Sequence, residues 1–144
     1  PYTYSSRTST LCYGHYNEAL AHPLGANFIE SVSILKYHYK RFYAQLKYNY
    51  IVYGADSAGI NYGNDIWQSY TTRPFEYGNY VWQGDKTTVN IFDASVSYLV
   101  NPATNMNVTL GLMRRTADSY FNDNECTYVY FGFRTSLNNL VYDF

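Results

Sequence analysis

Residues 128–144 read YVYFGFRTSLNNLVYDF, and the first part of this stretch alternates between apolar side chains and polar or small ones. Successive side chains of a β-strand point to opposite faces, so this strand has one apolar and one polar face. Such strands are typical of outer-membrane β-barrels, where lipid contacts the outer face and water the interior. The aromatic Phe144 suits the periplasmic end of a closing strand. The stretch predicts an all-β fold, an antiparallel transmembrane barrel.

The composition of the 144 residues fits this prediction. Nineteen tyrosines are present, and tyrosine is favoured where lipid meets water because its ring is apolar and its hydroxyl polar. The net charge of −1 shows no basic excess, so we expect no nucleic-acid partner. No apolar run reaches the length of about 18 residues that a transmembrane helix needs.

Two hairpins and a closing strand are predicted from the same alternation. Residues 29–39 and 42–53 form the first hairpin around a two-residue turn at 40–41. Ser31 and Ser33 interrupt the apolar face of the first strand, which a bulge or an exposed strand end would explain.

The second hairpin joins residues 92–100 to residues 108–113 through a turn at 101–105. The closing strand covers 127–137, and residues 2–12, rich in Ser and Thr, are a weaker sixth candidate. We expect these side chains to point out of the barrel: Tyr37, Tyr39, Phe42, Leu46, Tyr48, Phe92, Val96, Leu110, Phe131 and Phe133. We expect these polar side chains to line the lumen: Lys36, His38, Lys47, Asp93, Arg115 and Arg134.

The connections between strands alternate in length. Residues 13–28, 54–87 and 117–126 form long connections rich in Gly, Asn and Asp, whereas the two turns are short. Bacterial barrels have short periplasmic turns and long extracellular loops. We therefore place the long loops outside the cell and the C-terminus in the periplasm of a bacterial outer membrane.

Six strands do not close a barrel, because the smallest known barrels have about eight. Residues 66–70 and 77–83 would be the two missing strands of an eight-stranded barrel, but both are short, and residues 83–86 favour the tip of an extracellular hairpin. The chain begins PYTYSSRTS without a signal segment. We expect a mature chain or, better, the C-terminal part of a larger barrel.

Metal and cofactor sites are weakly supported. His15, Glu18 and His22 are too few and too widely spaced for a zinc site. The loop from Asp56 to Asp65 is rich in oxygen ligands, but its offsets do not match an EF-hand. We expect no metal and no cofactor.

Cys12 and Cys126 both fall at predicted extracellular strand ends, where an oxidising environment permits a disulfide. Two free thiols are the simpler expectation, because the first and last strands of a large barrel segment are not neighbours. Arg114 has the parity of the lipid face near the outer rim. It would contact lipopolysaccharide phosphates or simply end the strand.

No catalytic arrangement stands out, since neither a Gly-x-Ser-x-Gly elbow nor a phosphate-binding loop is present. Cationic side chains outnumber carboxylates among the predicted lumen residues. They would either attract anionic solutes or pair with carboxylates to cross-link the interior. Aromatic residues concentrate between 62 and 82, where they would bind a partner, stack on sugar rings or pack the loop on itself. These residues are Tyr62, Trp67, Tyr70, Tyr80 and Trp82.

Several segments resemble the C-terminal part of Bacteroidota outer-membrane barrels. They are EALAHPLGANFIE (18–30), YGAD (53–56), NYG (61–63), IWQSY (66–70), FGFRTSLNN (131–139) and the final DF. The nearest family is that of the gliding-motility-associated (RemB-like) barrels, related in style to Wzi-type capsule-assembly barrels. The resemblance covers most of the chain, as the last third of a family member, and carries no catalytic residues.

The resemblance implies surface exposure and a link to cell-surface machinery or polysaccharide. We therefore expect a non-enzymatic accessory or scaffold barrel in a secretion, motility or uptake assembly. Its partners would be outer-membrane lipid, lipopolysaccharide and other proteins. The alternative is a transport or polysaccharide-binding barrel, porin-like or capsule-associated.

Overall fold

The computed structural model describes residues 1–57, 59–120 and 122–136. Phe144 and the predicted strand end at 137 lie outside these residues. Five long strands dominate the described chain, after a short hairpin of β1 (Gly14–His15) and β2 (Glu18–Ala19). The long strands are β3 (Phe28–Tyr39), β4 (Phe42–Ala55), β5 (Asp85–Asn101), β6 (Met106–Ser119) and β7 (Asp123–Arg134). Single 3₁₀ turns occupy Ser9–Leu11 and Tyr70–Thr72.

The five long strands form one sheet in the order β3-β4-β5-β6-β7, so each strand pairs with its neighbour in sequence. The predicted all-β, antiparallel fold is thereby confirmed. Within the described residues this sheet is open, with β3 and β7 at its edges. In the same residues, no helix has the length and apolar character that a membrane span requires.

The two predicted hairpins are present, but the predicted sixth strand is not. Residues 2–12 instead form turns and the 3₁₀ turn at Ser9–Leu11. Their hydroxyl side chains bond locally, as when the Ser5 hydroxyl donates to the Tyr2 carbonyl at 3.2 Å. Ser and Thr compete with sheet formation in this way when no apolar alternation anchors a strand. The interruption at Ser31 and Ser33 leaves β3 continuous.

The connection between β4 and β5 is long, as predicted, and neither 66–70 nor 77–83 forms a strand. Residues 83–86 are not a hairpin tip, because β5 begins at Asp85. The prediction of a third long loop at 117–126 is also wrong, since β6 and β7 leave only residues 120–122 between them. β6 and β7 continue beyond the residues in which apolar and polar side chains alternate. The backbone hydrogen bonds between paired strands form regardless of side-chain polarity.

The chain divides into two compact units, and each long strand contributes to both. Unit 1 comprises Pro1–Ser31, Asn49–Asn90 and Thr116–Glu125. Unit 2 comprises Val32–Tyr48, Ile91–Arg115 and the described residues from Cys126 onward.

Unit 1 has a small apolar core, formed by Cys12, Ala26, Ile51, Val52, Ile66, Val89 and Ala117. Val52 has the parity of the expected lipid face but is 6% exposed. Its neighbour Ile51, on the opposite face, is also buried. The end of β4 is therefore covered on both faces within unit 1.

Unit 2 has the reverse of the burial pattern of a water-soluble sheet. Side chains of one parity are joined by contacts: the Ser97 and Thr109 hydroxyls are 2.7 Å apart, and the Tyr130 hydroxyl donates to Asp93 at 2.9 Å. In the central strands β5 and β6 these polar residues are half-buried. The large side chains between them are exposed: Phe92, Val96, Tyr98, Leu110 and Leu112. All ten side chains predicted to point outward are exposed.

Gly111 and Tyr130 show how the polar face of unit 2 is packed. A Cβ at Gly111 would overlap the ring of Tyr130, so any other residue at this position would have to displace that ring. The ring thus crosses β6 from β7, and its hydroxyl reaches Asp93 on β5. This contact joins three strands through one side chain.

Candidate functional site

Asp56 organises the long connection between β4 and β5. One carboxylate oxygen accepts from the backbone N–H groups of Tyr62 and Asn64, at 2.6 and 3.4 Å. The other oxygen accepts from the N–H of Asp65 at 2.9 Å. The oxygen-rich loop considered for calcium is therefore built around a carboxylate that bonds the backbone.

Asn61 is the central anchor of the same segment and has no exposed surface. Its side-chain oxygen accepts from the Gly63 N–H at 2.7 Å, and its amide donates to the carbonyls of Gln68 and Ser69 at 3.2 and 3.1 Å. The backbone carbonyl of Asn61 accepts a hydrogen bond from the Tyr2 hydroxyl at 2.7 Å. One buried side chain thus ties together three points of the loop. Sequence reasoning missed this role, although Asn side chains in turns often bond the backbone two residues further on.

Tyr2 gives this anchor a pH dependence. Burial, followed by the nearby Asp56 carboxylate, raises the pKa of Tyr2 above its ordinary value of 10.0. The folded state therefore holds the phenol proton more tightly than the unfolded state does. The stability that Tyr2 contributes is fully present below pH 10.0 and is lost as the pH rises through the raised pKa.

We expect Tyr2→Phe to destabilise unit 1 by about 1 kcal/mol at neutral pH, because a hydrogen bond to a buried carbonyl is lost. The deficit should shrink above pH 10.0, where the phenol ionises in the unfolded wild-type chain and the stability that it contributes begins to be lost. Urea titrations of both proteins at neutral and alkaline pH, followed by protection of the loop from protease, measure the difference. A deficit that is constant across this range contradicts the role assigned to Tyr2.

Asn27 holds the end of β4 against the segment that leads into β5. Its backbone φ is 63°, a left-handed conformation that Asn tolerates better than most residues. Its side-chain amide donates to the carbonyls of Gly54 and Gln83 at 2.8 and 2.7 Å. A Cβ at Gly54 would overlap the Gln83 carbonyl, so the close approach requires glycine.

A first cleft of about 680 Å³ lies beside Trp67. The Trp67 ring covers Gly14, where any side chain would overlap it. The backbone N–H of Trp67 donates to the Asp65 carboxylate at 2.9 Å. We call this the Trp67 cleft. Its polar and aromatic lining includes Asn17, Glu18, Tyr53, Asn64, Asp65 and Trp67.

A second cleft of about 760 Å³, the Tyr80 cleft, contains four aromatic side chains. The Gln83 side chain fixes its edge by accepting from the Tyr80 N–H at 3.2 Å and donating to Asn79 at 3.3 Å. The aromatic residues are Tyr62, Phe75, Tyr80 and Tyr120, and Asp85 and Lys86 lie beside them.

The five aromatic residues predicted as one contact surface are divided among separate places. Tyr62 and Tyr80 share the Tyr80 cleft, while Trp67 lines the other. Tyr70 lies under the Arg73 guanidinium at 5.6 Å from its ring centre, and Trp82 lines neither cleft. Phe75, Tyr120 and Tyr53 also line the clefts but were not predicted. Tyr53 and Tyr120 lie outside the 62–82 segment, whereas Phe75 lies inside it and was not singled out.

The histidines considered as metal ligands have other partners. His22 bonds Glu30 at 2.9 Å, accepts from the Leu24 N–H at 3.1 Å and stacks on Phe28. Because the Nδ1 atom of His22 accepts from Leu24, its Nε2 atom carries the proton donated to Glu30. Across the described residues, no group of three His, Cys, Asp or Glu side chains is placed to hold a metal.

The two cysteines are free thiols in the structure. Cys12 is buried, and its sulfur donates weakly to the Thr8 carbonyl at 3.7 Å. Cys126 is exposed.

Three of the predicted lumen residues line two adjoining clefts on the polar face of unit 2. Lys36 and His38 line a cleft with Gln45, Ser95 and Ser97, and the His38 ring stacks on Tyr43. Arg134 lines an adjoining cleft with Asn107, Thr109 and Gly132, and Tyr43 belongs to both. Lys47, Asp93 and Arg115 have the same strand parity.

The chain matches no protein-family model, no curated protein and no solved structure. The resemblance to motility-associated and capsule-assembly barrels therefore stays a prediction. Two features of the structure bear on its function: the exposed apolar face of unit 2 and the aromatic clefts of unit 1.

Proposed function

We propose that this chain forms part of a transmembrane β-barrel of a bacterial outer membrane. The observation that carries the proposal is the reversed burial of unit 2. Val129 and Phe131 are 67% and 71% exposed, whereas Ser95 and Thr109 on the opposite face are half-buried. Each large apolar side chain left in water forgoes about 1.5–3 kcal/mol of burial free energy, and lipid would recover it.

The strand lengths and the sheet edges support the same proposal. β3 and β7, the edge strands, are each 12 residues long, and about 9–11 tilted residues cross a bilayer. An edge exposed to lipid would leave unpaired backbone groups that cost several kcal/mol each. We therefore propose that further strands pair with β3 and β7 and that this chain supplies part of a larger barrel.

Within that barrel, we propose a non-enzymatic accessory or scaffold role in a cell-surface assembly. Unit 1 is a loop structure held by Asp56, Asn61 and Asn27 rather than by a large apolar core. Such a structure suits the presentation of side chains to a partner, and Phe75 and Tyr80 are each 60% exposed in the Tyr80 cleft. Unit 1 would then lie outside the cell, and the C-terminus in the periplasm. The resemblance to Bacteroidota surface barrels is consistent with this role.

A transport or polysaccharide-binding barrel is the second candidate. The Trp67 cleft favours it, because an aromatic ring beside carboxylate and amide groups can stack on a sugar and bond its hydroxyls. Purification from cells separates the two functions, since a scaffold should bring a protein partner with it. A polysaccharide receptor should instead bring bound glycan.

The Tyr80 cleft offers a direct test of the scaffold role. We expect Phe75→Ala combined with Tyr80→Ala to abolish partner capture. Truncating an aromatic side chain that a partner buries at the centre of an interface costs about 2 kcal/mol of binding free energy. Intact cells would be treated with a membrane-impermeant amine cross-linker, which can react at Lys86 in the cleft. The cross-linked partner would then be identified after purification of the barrel.

Tyr77→Ala is the matched control, because Tyr77 is 87% exposed and does not line the cleft. It should leave capture unchanged. Equal capture by the double variant contradicts the cleft as the contact. Labelling of Lys86 only after cells are broken contradicts its extracellular position.

A further inference from the structure

We infer that the polar face of unit 2 is an anion-selective lumen lining, an inference that rests on the proposed barrel. The described part of this unit contains a single carboxylate, Asp93. Four cationic side chains share its strand parity on the polar face. They are Lys36, Lys47, Arg115 and Arg134.

Contacts across the strands place these positions on one surface. The two adjoining clefts share Tyr43 and Ser97, and between them they include Lys36 on β3 and Arg134 on β7. The contact from Tyr130 to Asp93 adds β5 to the same face. The cations therefore extend across the whole width of the sheet, from one edge strand to the other.

Cross-linking by ion pairs, the alternative use of such charges, has no support in the described residues. Ion pairs join His22 to Glu30 and Arg73 to Glu76, both within unit 1, and neither involves one of these four cations. Asp93 accepts a hydrogen bond from Tyr130 and forms no ion pair in the same residues. Among the described residues, therefore, no ion pair with a carboxylate offsets the charge of these four cations.

Unneutralised cations along a narrow passage with low-dielectric walls focus a positive potential inside it. Rings of Lys and Arg are the usual means by which pores favour anions. The ligand class is therefore small anions and solutes bearing phosphate, sulfate or carboxylate groups. The hydroxyls of Ser95, Ser97 and Thr109 lie on the same face and can donate to an anion that has lost part of its hydration shell.

The test is ion selectivity of the complete barrel that contains this chain, purified in detergent and inserted into planar bilayers with a potassium chloride gradient. We expect the reversal potential to show that chloride is more permeant than potassium. Lys47→Glu combined with Arg134→Glu should reverse that order. The selectivity should weaken as salt rises, because the charges are then screened.

Arg114→Glu is the control, since it makes the same charge change one residue from Arg115 but with the opposite strand parity. It should leave the selectivity unchanged. Cation selectivity in the wild type, or equal effects of the control and the double variant, overturns the inference. A heat-modifiable barrel that conducts no ions also overturns it, yet leaves the proposed barrel intact. A complete protein that forms no barrel defeats both.

Discussion

Replacing Leu110 by Arg should lower the free energy of unfolding in lipid vesicles by about 2–4 kcal/mol, the cost of a cation on the lipid face of a barrel near the bilayer centre. Leu110 lies on β6 and is 59% exposed on the apolar face of unit 2. Burial in a protein core therefore cannot account for such a loss. The measurement is reversible urea unfolding in vesicles, followed by tryptophan fluorescence.

Asn107→Arg is the matched control, because it places the same side chain three residues away on the polar face. It should cost much less than Leu110→Arg, since water and polar groups surround that face. If the apolar face met water instead, Leu110→Arg would change stability by no more than about 0.5 kcal/mol, as surface substitutions usually do. That outcome would contradict the membrane proposal.

Replacing Asn61 by Ala should destabilise the loop structure of unit 1 by about 3 kcal/mol or more. The Asn61 side chain satisfies the Gly63 N–H and the carbonyls of Gln68 and Ser69. Each buried polar group left without a partner costs about 1–3 kcal/mol. We expect rapid protease cleavage between residues 56 and 84 in this variant, while the strands of unit 2 stay protected.

Asn124→Ala makes the same chemical change at an exposed position on β7 and should leave cleavage of the loop unchanged. Asn61→Asp keeps the acceptor for Gly63 but loses the amide that donates to Gln68 and Ser69. It should therefore be impaired as well. Normal protection of the loop in Asn61→Ala would show that the local backbone, and not this side chain, holds the segment.

The faces of unit 2 were predictable because a strand has a side-chain period of two. Neighbouring residues such as Leu46 and Lys47, or Phe131 and Gly132, show which face of the strand is apolar. No distant residue is needed to assign them. The same rule failed where polarity stopped alternating. The apolar pattern does not indicate that β6 continues to Ser119 or that β7 begins at Asp123.

The site in unit 1 was only partly predictable. The aromatic density of the 54–87 segment is visible in the sequence, but its division into two clefts depends on which residues meet. Gly14 receives the Trp67 ring, and Gly84 lies against Tyr62. These pairs are separated by 53 and 22 positions, so no local pattern connects them.

The sequence by itself determined the all-β class, both hairpins and the polar and apolar faces of the strands, since all of these follow from periodicity within a few residues. Only the tertiary structure decided that Asp56, Asn61 and Asn27 are anchors of the loops and that Val52 is buried. It also decided that the carboxylate Asp93 on the polar face of unit 2 bonds Tyr130. Those properties depend on which backbone groups and charges come within hydrogen-bonding distance. That distance is set by the folding of distant segments onto one another, for which sequence spacing carries no direct signal.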